Sequence, residues 1–227
     1  MRLLLSTLLA LPFLTACLGS NPGEVAVLVA DASSNTAALD ADAFSEALAE
    51  QCEGCTVTVY DAEGDVDAQR EQFQTALDRG VGAVVVEAVE AEVAEEFADA
   101  DTATPLVAAG TFVPGADWFV GVTAAVEASE YGTDLEAAQA LLAGDETSFQ
   151  HVPTAAISAD AAMVVTRVMA REDLTAPTTY EGVPSWIHEP VDVTLSNLTT
   201  ALVAPGLLSI EDLCEGAEAR CAKLGIA

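Results

Sequence analysis

The chain has 227 residues, 52% of them apolar, enough to bury the core of one domain or two small ones. Its 37 Asp+Glu stand against 7 Lys+Arg, a formal charge of −30, and a surface so anionic repels phosphate backbones and anionic lipid headgroups, which excludes nucleic acid as a partner. The acids are spread through helices and turns, so the charge reads as a solvated acidic surface, suited to salt or to repelling anionic ligands, and not as a disordered tail.

The chain opens on "MRLLLSTLLALPFLTAC", with one early cation, Arg2, then an apolar run from Leu3 to Leu14, then small residues before Cys17. The run is shorter than the roughly 20 apolar residues that span a bilayer, so residues 1–16 read as a secretory signal peptide. "LTAC" resembles the lipobox of bacterial lipoproteins, which implies a mature N-terminus at Cys17 carrying lipid, with 17–23 as a short tether. The expected location is outside the cytoplasm, anchored by that lipid at the outer face of the bacterial cell membrane or in the periplasm.

From Glu24 the pattern becomes regular. "EVAVLVA" is a valine-rich strand ending at Asp31 and the turn-forming "SSN". "LDADAFSEALAEQ" places Leu39, Ala43, Phe44 and Leu48 on one helical face. Strand "TVTVY", turn "DAEGD", helix "VDAQREQFQTALDRG", strand "GAVVVEAV", helix "AEVAEEFADA" and strand "PLVAAG" follow, with Asp65 as an N-cap and Gly80 as a C-cap. Repeated β-then-α units with near-continuous apolar strands predict an α/β fold, a doubly wound, mostly parallel sheet covered on both faces. After strand "WFVGV" come a helix ending at Gly144, a short "TSFQHV", a long amphipathic helix from Ala156, an extended "VPSWIHEPVDVT" broken at Pro190, and one or two short helices.

Four cysteines remain beyond Cys17, in two close pairs, Cys52 with Cys55 and Cys214 with Cys221. In an exported protein such pairs point to disulfides, with a four-cysteine zinc site as the sharper alternative. Cys214 and Cys221 cannot be bridged along a straight helix, because seven residues rise about 10.5 Å and a disulfide tolerates about 7 Å between Cα atoms. The helix must break between them, and Gly216 is available. A redox-active CxxC fits poorly, because such a pair opens a helix whereas Cys52 and Cys55 close one.

Catalysis finds little to work with. There are two histidines, no His-Glu-x-x-His, no Gly-x-Ser-x-Gly and no phosphate-binding glycine loop. "DAEGDVD" lacks the ligand spacing of a calcium loop. The expectation is a non-enzyme with no cofactor and no metal.

The order of segments resembles the periplasmic sugar-binding protein family of the type I periplasmic binding fold, in its ribose and xylose branch. Asp61, Gly64, Asp65, Gln69, Gln72, Gly80 and Val81 stand where that family has "D-A-x-G-D…Q…Q…G-V". Val183–Ser185 and Pro190–Asn197 resemble its "V-P-S…P-V-x-V-T-x-x-N" pattern. The close cysteine pair before the second strand also fits this branch. The resemblance implies the receptor of a sugar ABC transporter: two α/β lobes joined by hinge strands, a monosaccharide (pentose or hexose) enclosed between them, and an ABC permease as partner. The match passes almost directly from "WFVGVTAAVEASEYG" to "TDLEAAQALLAGDETSFQ", which implies a single lobe lacking most of the second. The expected organisation is 24–125 as the first lobe, 126–151 as a remnant of the second, and 152–227 completing the first.

Ligand positions depart from the family. Gly110-Thr111 replaces an Asp-Arg pair that grips sugar hydroxyls, Ala124-Ala125 replaces an Asp-Asn, and His151 replaces a lysine. The remaining candidates are Asp31, Ser33, Ser34 and Asn35 after the first strand and Thr111 and Phe112 after the fourth, with Trp118 as a second stacking ring. Ser33, Ser34 and Asn35 could equally serve the backbone and cap the next helix. Two functions follow from the resemblance: a lipid-anchored sugar receptor with a degenerate site, or a one-lobe interaction module that docks on a permease or another partner and binds no sugar.

Overall fold

The computed structural model describes residues 21–32, 38–100, 103–123 and 133–226. Cys17, Ser33, Ser34, Asn35, Ala124 and Ala125 lie outside the described residues. In chain order the elements are β1 (Asn21–Val29), α1 (Ala41–Gln51), β2 (Thr56–Asp61), α2 (Val66–Arg79), β3 (Val81–Val86), α3 (Ala91–Asp99), β4 (Leu106–Gly110) and β5 (Trp118–Val122). Then follow α4 (Asp134–Ala143), β6 (Ser148–His151), α5 (Thr154–Met169), β7 (Thr178–Tyr180), β8 (Val183–His188), β9 (Val191–Thr194), a π-helical turn (Thr199–Val203), α6 (Ile210–Cys214) and α7 (Glu218–Leu224).

Helix boundaries follow local chemistry. The carboxylates of Asp40 and Asp65 accept from the first free N–H groups of α1 and α2, and Gly80 ends α2 in the left-handed conformation at φ 65°. Seven strands form one sheet in the order β2-β1-β3-β4-β5-β8-β7, parallel throughout except for β7 against β8. Strand alternation sends Val25, Val27 and Val85 to a face covered by α1 and α5, and Leu28, Val84 and Val86 to a face covered by α2 and α3. On the second face Phe73 of α2 stacks on Phe97 of α3 with ring centroids 4.1 Å apart, a pair that adds about 1 kcal/mol beyond its burial. This is the doubly wound α/β sandwich that the valine-rich runs predict.

A second, smaller body surrounds the antiparallel pair β6–β9. Leu141 and Leu142 of α4, Phe149 of β6, Val193 of β9, Leu202 of the π turn and Leu213 of α6 share one buried cluster. Here the packing differs from the expectation that all of 152–227 completes the first lobe. Residues up to His188 do so, through α5, β7 and β8, but β9 pairs with β6, and the π turn, α6 and α7 contribute to the buried cluster around α4. Pro190, which has no N–H to give a strand ladder, stands between the two runs. Three stretches therefore join the two bodies: β5 to α4, β6 to α5, and β8 to β9.

Both cysteine pairs are disulfides. Cys52–Cys55, with Cα atoms 5.4 Å apart, ties the end of α1 to the start of β2. Cys214–Cys221, at 6.0 Å, is reached because α6 ends at Cys214 and Gly216, at φ 73°, turns the chain before α7. Among the described residues no group of three or more His, Cys, Asp or Glu is arranged to hold a metal, and no helix is long and apolar enough to cross a membrane.

Candidate functional site

In an open parallel sheet the ligand-reading edge lies beyond the carboxyl ends of the strands. That edge here carries Asp31 after β1, Asp61 at the end of β2, Glu87 after β3, Gly110 and Thr111 at the end of β4, and His188 at the end of β8. Its loops are held by side chains of α2. Gln69, fully buried, donates from Nε2 to the Glu87 carbonyl at 2.8 Å and accepts from the Val89 N–H at 3.0 Å. Gln72 donates to the Asp61 carbonyl at 2.7 Å. The two glutamines that carry the sequence resemblance thus clamp the loops after β3 and β2.

The segment before α1 lies across this edge. The Ala38 N–H donates to Glu87 Oε1 at 2.6 Å, and the Asp40 N–H donates to Ser158 Oγ of α5 at 2.9 Å. Ala38 also explains Gly110. That residue sits at φ 73°, and a Cβ on it would lie 2.5 Å from the Ala38 Cβ. A larger side chain at 110 would meet Ala38 and a backbone conformation that L-residues avoid, so an acid cannot stand here as it does in the resembling family.

Glu87 is the main feature that sequence reasoning missed. Read as one more strand residue in "VVVEAV", it is 4% exposed and lies just past the end of β3. Its Oε2 has no hydrogen-bond partner. Burial pushes its carboxyl above the ordinary range and the negative charge of Asp31 adds to this; the Ala38 N–H pulls the other way. The Ala30 and Leu39 N–H groups pull in the same direction as Ala38. An acid directly after an apolar parallel strand was the available signal.

The remaining candidates are dispersed. Asp31 is half-buried and Thr111 is exposed at the edge. Phe112 packs edge-on against Phe119 (5.3 Å) and Tyr180 (4.9 Å), within the cluster on the α2–α3 side. Trp118 opens β5 and so lies at the far end of the strand from the ligand edge, beside Trp186 with centroids 5.9 Å apart. It does not stack at the site with Phe112. Both histidines precede a crossing between the bodies: His151 Nδ1 lies 2.6 Å from Asp134 Oδ2, and His188 Nε2 lies 3.1 Å from Asp160 Oδ2.

This strand order and helix arrangement are those of the type I periplasmic binding fold. Solved structures share it at low identity. A carbohydrate transporter solute-binding protein from Chloroflexus aurantiacus, in complex with D-glucose, matches with TM-score 0.68 and 11% identity over 84% of this chain and 97% of that one. An ABC transporter solute-binding protein from Clostridium phytofermentans with bound β-D-glucose matches with TM-score 0.65 and 11% identity, over 84% and 99%. One from Bacillus halodurans with bound myo-inositol matches with TM-score 0.61 and 12% identity, over 81% and 98%. No family model matches the chain, and no curated protein matches it significantly.

Proposed function

We propose that this chain is the solute-recognition component of a sugar ABC importer of the xylose and ribose type, exported and held at the membrane surface by lipid on Cys17. It is a binding protein, not an enzyme, and its partner is an ABC permease. The supporting observation is the carboxyl edge itself: a fold shared with glucose- and inositol-bound receptors, with Asp31 after β1, the buried Glu87 after β3 and Thr111 after β4 along one sheet edge, where a hydroxylated ring would be read. Asp31, Ser33, Ser34, Asn35, Thr111 and Phe112 remain the wider ligand set proposed from the sequence. Calorimetric titration with xylose, ribose, glucose and arabinose tests this reading, and heat with any one of them is the expected result. No heat and no thermal shift with any pentose or hexose would sink sugar capture.

A second reading draws on Gly110. With Ala38 against it, the chain's own segment fills the place where the resembling family positions an acid on its sugar. In that reading the protein docks on a permease without capturing sugar. Co-purification of a permease by a protein that gives no heat with sugars would favour it.

A further inference from the structure

Among the described residues two acids are buried, and the sheet treats them differently. Glu24, 5% exposed near the amino edge, receives the Arg79 guanidinium and the Thr58 hydroxyl on Oε1. Glu87, 4% exposed at the carboxyl edge, has no cation beside it among the described residues. The charge acting on it is that of another acid, Asp31, and the polar groups facing it are the backbone N–H groups of Ala38, Ala30 and Leu39. One carboxylate oxygen is satisfied and Oε2 accepts nothing. Taking a carboxylate out of water without a counter-charge is strongly unfavourable, and the general acidity of this surface does not account for an acid placed inside the fold.

We infer that the solute read at this edge carries a cationic group, an amine on a small polyol such as an amino sugar, and that Glu87, backed by Asp31, supplies its counter-charge. This rests on the solute-binding reading above and names the charge class of its ligand. Arg79 does for Glu24 what the ligand ammonium does for Glu87. Because burial favours the neutral acid, pairing with a cation draws the proton off Glu87, so binding strengthens as pH rises through its raised titration.

The test is calorimetry on the full chain with D-glucosamine and 6-amino-6-deoxy-D-glucose against D-glucose and N-acetyl-D-glucosamine, near neutral pH, at low and at molar salt. At least one amine is expected to bind about tenfold or more tighter than its neutral counterpart, the increment of a charge-assisted hydrogen bond. The preference should persist in molar salt and disappear in Glu87→Gln, whose fold is checked by circular dichroism. Neutral sugars binding as tightly as the amines would overturn the inference and leave the sugar reading standing. No binding by any of the four would sink both. A preference that vanishes in molar salt belongs to the acidic surface, and one that survives Glu87→Gln belongs to other residues; either overturns the assignment.

Discussion

Replacing Gly110 by alanine puts the close approach at the carboxyl edge to a quantitative test. Two costs add. The residue stands at φ 73°, and holding an L-residue in the left-handed region costs about 1–2 kcal/mol. The new Cβ would also lie 2.5 Å from the Ala38 Cβ, and overpacking of this kind costs about 1–3 kcal/mol. Gly110→Ala should therefore destabilise by about 2–5 kcal/mol in denaturant unfolding, without changing the slope. Ala38→Gly removes the contacted atom, so the double variant should recover the steric part and leave the conformational part, with a coupling energy of about 1–3 kcal/mol. Additivity within about 0.5 kcal/mol would refute the reasoning, because it would mean that Ala38 does not rest on Gly110.

Glu87 makes stability depend on pH. Its folded carboxyl titrates above its unfolded one, so between the ordinary carboxylate value and the raised one the folded state holds a proton that the unfolded chain has released. Stability falls as pH rises through that window and is untouched below it. Glu87→Gln should flatten the fall, and a difference from wild type that does not change with pH would count against it. Arg79→Met leaves Glu24 with the Thr58 hydroxyl but without its guanidinium; because Arg79 is half-exposed, the expected loss is about 1–3 kcal/mol, read by thermal or denaturant unfolding. Cys214→Ser with Cys221→Ser opens an eight-residue loop and should cost about 2–3 kcal/mol by the chain-entropy relation. The denatured, unreduced chain should show no free thiol at Cys52, Cys55, Cys214 or Cys221.

The large sheet was legible because its strands are buried on both faces: "VAVLV" and "VGAVVV" leave no alternation, and each helix after them carries its own cap. The disulfide at the end of the chain was legible from rise per residue, which demanded a break that Gly216 supplies. The hairpin β7–β8 was not foreseen, because its turn runs through Glu181 and Gly182, both at positive φ, without an Asn-Gly or Asp-Gly signal. The return of β9 to β6 was also hidden: "VPSWIHEPVDVT" looks like one strand on either side of a proline, and only long-range pairing decides that its halves join different sheets. At the site, Gly110 was visible as a loss of chemistry, but the reason for it, Ala38, lies 72 residues earlier in the chain. Glu87 was hidden by its surroundings, since a strand pattern does not reveal whether a buried acid finds a partner.

We propose that solute is read at the carboxyl edge of the large sheet. This is tested most directly by amide chemical-shift mapping of the full chain during titration with monosaccharides and amino sugars. Saturable shifts centred on Asp31, Ala38, Glu87 and Thr111 are expected. Saturable shifts confined to the second body, around α6 and α7, or no shifts with any of these solutes, would contradict it.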